Sequence, residues 1–289
     1  MKEIQMASPS AVRQVLQAHG LAAKKNWGQN FLTDGAVAES IAAQVPPGNL
    51  LYEIGPGLGA LSQFLLPRTG RLALVEIDPA LAAWLQQLFE EESADQRVEI
   101  LQGDALKLDF DAHAQQRGFA NYVICGNLPY YITTPLLKHF LCQQNWGQMV
   151  FLVQREAAQR MAAGPGNKDY GLLNLMIEYY AELDLLFNVA DSAFHPRPEV
   201  QSSLIRFRRR PAPAITVRDA RLLFATINAA LSQRRKTLAN ALKNSGLAPG
   251  VDWPALLRTV AIDGQRRGET LHLEEFGALC DALWQQLHP

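Results

Sequence analysis

The residue types that could carry chemistry are concentrated in residues 127 to 130, where the sequence is Asn-Leu-Pro-Tyr. They follow the apolar run NYVICG, which predicts a buried strand that delivers them to one strand tip. An exocyclic purine amine is a poor nucleophile, because its lone pair is delocalised into the ring. Its alkylation is favoured by two carbonyl acceptors for its N–H groups and by a ring that stacks on the base. Asn127 would supply a side-chain carbonyl, Leu128 or Pro129 a main-chain carbonyl, and Tyr130 the stacking face. The alternative is an Asx/Pro turn with a half-buried tyrosine.

A second candidate site lies in LLYEIGPGLGALSQFL, which has the pattern of a strand, a glycine turn and a helix. Gly55 and Gly57 let the backbone approach a ligand closely, and the helix start offers unpaired N–H groups to an anion. The strand RLALVEID ends about twenty residues later in Glu76, placed to accept hydrogen bonds from ribose hydroxyls. The next strand, RVEILQ, leads into Asp104, whose carboxylate would accept a hydrogen bond from an adenine amine. Together these strand tips favour an adenosyl cofactor.

The glycine pattern alone leaves two alternatives. G-P-G-L-G-A also satisfies the G-x-G-x-x-A fingerprint of nicotinamide or flavin oxidoreductases, and a tight turn without a ligand uses the same glycines. Glu53 stands two residues before the first glycine, and the resulting E-x-G-x-G-x-G form resembles the cofactor loop of S-adenosylmethionine-dependent methyltransferases.

The elements that must position these residues alternate along the chain. Strand-like apolar runs and helical patterns follow one another through the first two-thirds, which predicts an α/β fold: a parallel sheet with helices on both faces. Ligands on such sheets bind at the carboxyl ends of the strands, where the candidate residues fall. Beyond the proline-broken link PAPAITV the patterns are helical only. We therefore predict a main domain over residues 1–210 and a small all-helical domain over residues 211–289.

Composition and charge restrict the class of protein. The chain has 289 residues, of which 48% are hydrophobic and 19% charged, so it can bury a core. We find no signal-like apolar segment, no apolar run of roughly 18 residues and no paired cysteines, which predicts a cytoplasmic protein without a metal site. The net charge is -1, but acidic and basic residues are concentrated in different regions of the chain. Residues 76–111 contain ten acids and two bases, and residues 195–245 eleven bases and two acids, so one region can attract a polyanion.

The order of motifs resembles a known family, the small-subunit ribosomal RNA adenine dimethyltransferases. The motifs are KKNWGQNFL, EIGPGLGALS, VEID, GDAL, GNLPYYITTPLL, LVQREAAQRM, YGLLNLM, FHPRPEVQSSLIRF and SQRRKTLANAL. The resemblance implies a Rossmann-like sheet and transfer of methyl groups from S-adenosylmethionine to N6 of two adjacent adenosines. These lie in a hairpin loop near the 3′ end of the small-subunit (16S) RNA. The implied partner is that RNA within the small subunit or its precursor, during ribosome biogenesis, with S-adenosylhomocysteine as product. We also expect a monomer, because nothing in the sequence suggests an obligate dimer.

The resemblance also implies roles for individual residues. The segment GQNFL, residues 28–32, which we call the flap, would fold over the cofactor and touch it through Asn30 and Leu32, with Lys24 and Lys25 beside it. Gly55 would lie beside the methionine half, Glu76 at the ribose, Asp104 at the adenine and Asn127 at the methyl-transfer centre. Phe194 would sandwich the target adenine against Tyr130, unless it is an ordinary core residue. Phosphate contacts are expected from Lys24, Lys25, Arg206, Arg208, Arg234, Arg235 and Lys236.

Departures from the family are small: Tyr131 and Gln201 stand where other members often have Asn and Asp. Three related functions stay open. They are dimethylation of large-subunit RNA, adenine methylation in DNA, and a role mainly as an assembly factor for the small subunit.

Overall fold

The computed structural model describes residues 8–24 and 27–288. Its strands are β1 Phe31–Leu32, β2 Gly48–Ile54, β3 Thr69–Glu76, β4 Val98–Gln102, β5 Tyr122–Asn127, β6 Trp146–Gln154, β7 Ala181–Val189, β8 Phe194–His195 and β9 Ser202–Arg209. Its helices are α1 Pro9–Ala18, α2 Gly35–Gln44, α3 Ser62–Leu65, α4 Pro79–Leu88, α5 Glu90–Ala94, α6 Phe110–Gln116, α7 Thr133–Cys142, α8 Arg155–Met161, α9 Leu172–Tyr180, α10 Ala220–Leu231, α11 Leu238–Asn244, α12 Trp253–Thr259 and α13 Leu273–Leu287.

The central sheet has seven strands in the order β4-β3-β2-β5-β6-β9-β7. Strands β2 to β6 pair in parallel, which confirms the predicted α/β class. Strand β9 runs antiparallel to β6, an addition that the alternating pattern did not predict. The chain builds the sheet outward from β2 through β3 to β4, then returns to the other side of β2 with β5. The tips of β2 and β5 therefore form a topological switch point, the usual place for a ligand on such a sheet.

Local sequence explains how the strand tips connect to helices. Helix α4 has proline at its first position, and the preceding Asp78 side chain accepts a hydrogen bond from the Ala80 amide. Strand β5 contains Gly126, where an added Cβ would lie 2.5 Å from the Ile54 carbonyl oxygen of β2. Only glycine allows β2 and β5 to approach this closely beside the candidate site.

A small second sheet anchors the end of the flap. Strand β1 pairs antiparallel with β8, so that Phe31 is opposite His195 and Leu32 is opposite Phe194. Thr33 adds two hydrogen bonds, from its amide and its hydroxyl, to the Ala193 carbonyl. These contacts fix the chain that leaves the flap.

The first of two compact units consists of residues 1–158 and 183–209, within the described ranges. Its core contains side chains from the sheet and its helices, among them Ile41, Leu51, Leu74 and Val150, all nearly inaccessible to solvent.

The second compact unit consists of residues 159–182 and 210–289. Its core joins Tyr170, Leu175 and Tyr179 to helical residues such as Leu223 and Phe276. The sequence-based division at residue 210 assigned 159–182 to the first domain. The structure groups this segment with the helical unit instead, because the apolar side of α9 is buried among the later helices. Periodicity identified the helix but could not indicate which core it joins.

Candidate active site

A cleft of the first unit opens at the carboxyl ends of β2, β3, β4 and β5. Its volume is about 820 Å³ with its open mouth included. The residues that line it are Trp27, Gly28, Gln29, Asn30, Phe31, Ile54, Gly55, Gly57, Val75, Glu76, Ile77, Leu81, Gly103, Asp104, Ala105, Asn127, Leu128, Pro129, Tyr130, Tyr131, Ile132 and Leu136. All four candidate strand tips and the flap therefore meet at one place.

The glycine loop forms the floor of this cleft. Gly55 and Gly57 have φ values of 65° and 59°, in the left-handed region that side chains disfavour. A Cβ on Gly57 would lie 3.0 Å from Cδ1 of Phe31, so the loop and the flap ring are already in close contact. Glycine is required here for conformation and for space.

Glu76 at the tip of β3 is a buried carboxylate, only 3% exposed. Its Oε1 accepts a hydrogen bond from the Asp78 amide at 2.9 Å, and its Oε2 accepts one from the Gly57 amide at 3.2 Å. Burial raises the pKa of Glu76 to about 7, although these two hydrogen bonds lower it. The carboxylate is thus fixed in orientation while it lines the cleft, with lone pairs left for further donors.

Glu53 is a functional candidate that the predicted site did not include. Its side chain is 2% exposed, and Oε2 has no hydrogen-bond partner among the described residues. Burial raises the pKa of Glu53 to about 8, and the charge of Glu76 adds to the rise. Glu53 lines a second cavity together with Asn30, Gly55 and Asn127. The E-x-G-x-G-x-G pattern contained this residue, and that pattern was the signal for it.

The tip of β5 presents two carbonyl groups. The Asn127 Nδ2 donates to the Asn30 carbonyl of the flap at 3.0 Å, which leaves Oδ1 as an acceptor. The Pro129 carbonyl accepts from the Ile132 amide and from the Thr133 hydroxyl, both at 3.1 Å. Among the described groups, none donates to the Leu128 carbonyl. Of the two main-chain oxygens considered from sequence, Leu128 O is therefore the one with both lone pairs open.

Two neighbouring tyrosines differ in exposure. The Tyr130 hydroxyl hydrogen-bonds to Ser202 Oγ at 3.0 Å, and burial raises the pKa of Tyr130. Tyr131 is 59% exposed, and its ring lies beside Gly28 of the flap. The mouth of the cleft therefore has one tyrosine ring held by a hydrogen bond, that of Tyr130, and one exposed to solvent, that of Tyr131.

Leu32 and Phe194 are both buried. They are 6% and 4% exposed, pair with each other across the small sheet, and belong to the hydrophobic core. Leu32 lines the second cavity but not the main cleft, and Phe194 is absent from the described lining of both. This burial agrees with the core position that was the alternative for Phe194, and its stacking on the target adenine opposite Tyr130 stays a prediction.

The residues expected to contact phosphate have varied surroundings. Lys24 forms an ion pair of 2.8 Å with Asp78, and Lys25 lies outside the described residues. Arg206 and Arg208 both bind the Asp184 carboxylate, at 2.9 and 2.7 Å.

In the second unit, Arg234 donates hydrogen bonds to the carbonyls of Lys168 and Tyr170. Arg235 and Lys236 are exposed.

Sequence reasoning missed the apolar lining of the cleft. Trp27, Phe31, Ile77, Ala105 and Tyr131 face the ligand space beside the polar residues that were predicted. Each is a direct neighbour of a predicted motif, but a hydrophobic residue at such a position is equally typical of a core.

Within the described ranges, no group of three or more His, Cys, Asp or Glu side chains could hold a metal ion. No helix there has the length and hydropathy needed to cross a membrane.

Sequence comparison relates the chain to named proteins over nearly its full length. The family model described as Ribosomal RNA adenine dimethylase matches residues 20–278. A relative from Pelotomaculum thermopropionicum, named Ribosomal RNA small subunit methyltransferase A, is 43% identical, with 97% of this chain and 98% of the relative covered. A relative of the same name from Moorella thermoacetica is 39% identical, with coverages of 96% and 98%.

Solved structures support the fold. A dimethyladenosine transferase from Plasmodium falciparum superposes with a TM-score of 0.71 at 22% identity and covers 86% of this chain and 95% of its own. The 23S rRNA methyltransferase ErmE gives 0.63 at 23% identity, with coverages of 89% and 100%. These likenesses establish a Rossmann-like methyltransferase fold, and the family match excludes the oxidoreductase alternative. The chain belongs to the ribosomal RNA adenine dimethylase family and is an S-adenosylmethionine-dependent methyltransferase.

Proposed function

We propose that this enzyme dimethylates N6 of two adjacent adenosines in a hairpin loop near the 3′ end of small-subunit (16S) ribosomal RNA. It acts on the small-subunit particle or its precursor during ribosome biogenesis, in the cytoplasm and as a monomer. The observation that carries the proposal is the orientation of Asn127. Its amide nitrogen is held by the flap, and its carbonyl oxygen remains as an acceptor beside the glycine cleft. The names of the two bacterial relatives support the choice of the small subunit.

The residues of the cleft fit S-adenosylmethionine. Asp104 at the tip of β4 suits the adenine amine, and Glu76 suits the ribose hydroxyls, because both are acceptors that line the cleft. The backbone of Gly55 and Gly57 leaves room for the methionine half, and the unpartnered Oε2 of Glu53 suits a cationic group near it. When bound, the cofactor supplies an electrophilic methyl group on a sulfonium, and S-adenosylhomocysteine is the product. We assign no metal to the reaction.

The tip of β5 would hold the target amine. Asn127 Oδ1 and Leu128 O would accept its two N–H groups, which aims the nitrogen lone pair along the line of attack. With the cofactor bound, its methyl group would pass to this nitrogen, S-adenosylhomocysteine would be the leaving group, and the surplus amine proton would be lost to water. Tyr130, fixed through its hydroxyl to Ser202, offers its ring as the stacking face for the flipped base.

Basic residues on both units would bind RNA phosphates. Arg206 and Arg208 both bind the Asp184 carboxylate, and the Arg208 side chain is 44% exposed. Exposed Arg235 and Lys236 stand at the start of α11 in the helical unit. We propose that the helical domain, residues 211–289 in the sequence-based division, contacts the ribosomal particle through such residues.

The proposal is tested with under-methylated small subunits, the purified enzyme and labelled methyl donor, followed by nucleoside analysis. We expect the label in N6,N6-dimethyladenosine from the small-subunit RNA. Label confined to large-subunit RNA, or found in DNA, would overturn the assignment. Small-subunit maturation that proceeds normally with a Glu76→Ala enzyme unable to methylate would favour the assembly role.

Cofactor affinity should depend on pH through Glu76. Its pKa of about 7 means that the ionised carboxylate, the better acceptor for ribose hydroxyls, is lost as the pH falls through 7. We expect the Kd of S-adenosylhomocysteine, measured by titration calorimetry, to rise roughly tenfold between pH 8 and pH 6. Glu76→Gln should bind more weakly at pH 8 and lose the part of the pH dependence that is centred on pH 7. A wild-type profile that is flat over this range would contradict the role of Glu76.

A further inference from the structure

The flap is attached to the rest of the first unit at both of its ends. At the far end, β1 pairs with β8, and Asn127 Nδ2 donates to the Asn30 carbonyl. At the near end stands Lys24, whose amide donates to Gln29 Oε1 at 2.8 Å. Between them, residues 27–31 line the cleft. The contacts of Lys24 therefore help to hold the first of these lining residues, Trp27 to Gln29, at the cleft.

The Lys24 side chain reaches across to the tip of β3. Its Nζ lies 2.8 Å from Asp78 Oδ2 and 4.4 Å from the centre of the Trp27 ring. Gln29 Nε2 adds a longer hydrogen bond of 3.5 Å to the same Asp78 oxygen. Lys24 and Gln29 of the flap thus converge on one carboxylate, and the Trp27 ring lies beneath the ammonium group.

The two partners of the ion pair differ in exposure, because the Asp78 side chain is only 2% exposed while that of Lys24 is 45% exposed. Burial by itself would raise the pKa of Asp78, but hydrogen bonds from Lys24, Ala80 and Gln29 lower it overall. A carboxylate with so little water around it depends on these donors. The ion pair is therefore worth more than one in which both partners are exposed.

Asp78 also joins the flap to the cofactor residues. Its amide donates to Glu76 Oε1, and its Oδ1 caps α4 through the Ala80 amide. Its two carboxylate oxygens have separate partners: Oδ1 binds the helix and Oδ2 binds the flap. Asp78 Oδ2 can consequently lose its contacts with Lys24 and Gln29 while Oδ1 still caps α4.

We propose that Lys24 and Asp78 form an ionic latch that holds the flap over the cofactor cleft, so that both are positioning residues for cofactor binding. This inference rests on the proposed binding of S-adenosylmethionine in the cleft. It assigns to Lys24 a role within the protein in place of the phosphate contact expected from sequence. Loss of the latch lowers the fraction of molecules whose flap is in place, and the apparent Kd rises in inverse proportion to that fraction.

The test is a double-mutant cycle on the full-length protein, with the Kd of S-adenosylhomocysteine measured by titration calorimetry. Asp78→Asn keeps an oxygen for the α4 cap and removes the charge. Lys24→Gln removes the other charge at a half-exposed position. We expect each single variant to raise the Kd roughly five- to tenfold, and the double variant to raise it no further. Lys243→Gln, an exposed lysine of the second unit, is the matched control and should leave the Kd unchanged.

Steady-state kinetics separate the latch from an RNA contact. With the cofactor saturating, Lys24→Gln should retain its kcat and its KM for under-methylated small subunits. A higher KM for subunits with an unchanged Kd for S-adenosylhomocysteine would overturn the latch and restore the phosphate contact. Additive effects in the double variant would also overturn the latch. So would a Kd that rises in Asp78→Asn but not in Lys24→Gln. A wild-type enzyme that does not bind S-adenosylhomocysteine would overturn the proposed function as well as the latch.

Discussion

Replacement of Asn127 by alanine should lower kcat for methyl transfer by roughly a hundred- to a thousandfold, the usual effect of removing one positioned hydrogen-bonding group from a reacting centre. The physical reason is the direction of the amine lone pair. With Asn127 Oδ1 gone, Leu128 O alone holds the amine, and the nitrogen is free to keep its planar, unreactive geometry. The measurement is single-turnover methylation of under-methylated small subunits.

The two halves of the Asn127 amide can be separated. Asn127→Asp keeps an acceptor for the target amine but loses the donor to the Asn30 carbonyl. We expect this variant to retain more of the methylation rate than the alanine variant, and to bind S-adenosylhomocysteine more weakly because the flap is released. Asn121→Ala, at the exposed opposite end of the same strand, is the matched control. If Asn127→Ala retained wild-type kcat, the proposed role of this strand tip would be wrong.

Much of the cleft was predictable because its polar residues depend on strand order alone. Once β2, β3, β4 and β5 are known to be parallel, their carboxyl ends must lie on one edge of the sheet. Glu76 and Asn127 end their strands, and Gly55 and Asp104 come just after theirs, so the convergence of these residues in one cleft follows from the alternation of strands and helices. The positions of these residues can be predicted from the strand directions alone, without knowledge of any long-range contact.

Other features depend on partners that periodicity does not reveal. Phe194 enters the core because of a two-residue strand, β8, which is too short to give a pattern. Lys24 and Asp78 meet although the whole of β1, α2, β2 and β3 lies between them. Arg206 and Arg208 looked like free cations in a basic run, but the adjacent Asp184 binds both. Such pairings are set by tertiary contacts, which a single sequence does not contain.

The choice between the two carbonyls at the β5 tip shows the same limit. Sequence placed Leu128 and Pro129 equally well as acceptors. Only the turn that starts α7 decides, because Ile132 and Thr133 both donate to the Pro129 carbonyl. The sequence motif identified the two candidate carbonyl groups. The hydrogen bonds in the structure show that the Leu128 carbonyl is the one whose lone pairs are open.

Glu53→Gln should make the protein more stable at alkaline pH while it weakens cofactor binding. The pKa of Glu53 is raised in the folded state from 4.5 to about 8. The folded protein therefore holds this proton more tightly than the unfolded chain does. The stability that follows is fully present below pH 4.5 and is lost as the pH rises through 8.

A glutamine cannot ionise, so the variant avoids the cost of the buried charge. Relative to wild type, we expect its free energy of unfolding to be similar at pH 5 and higher at pH 9, by up to about 4 kcal/mol. Urea unfolding of the ligand-free protein at the two pH values measures the difference. Glu39→Gln, on the exposed side of α2, should change stability equally at both.

The same substitution should cost function, because the lone pairs of Glu53 Oε2 are kept without a partner at the expense of stability. We expect Glu53→Gln to raise the Kd of S-adenosylhomocysteine, whose amino group is then left without a carboxylate. A variant that gained stability at pH 9 and bound S-adenosylhomocysteine as tightly as wild type would show that Glu53 is a buried charge without a role in binding. Gain of stability together with loss of affinity would identify the carboxylate as part of the cofactor site.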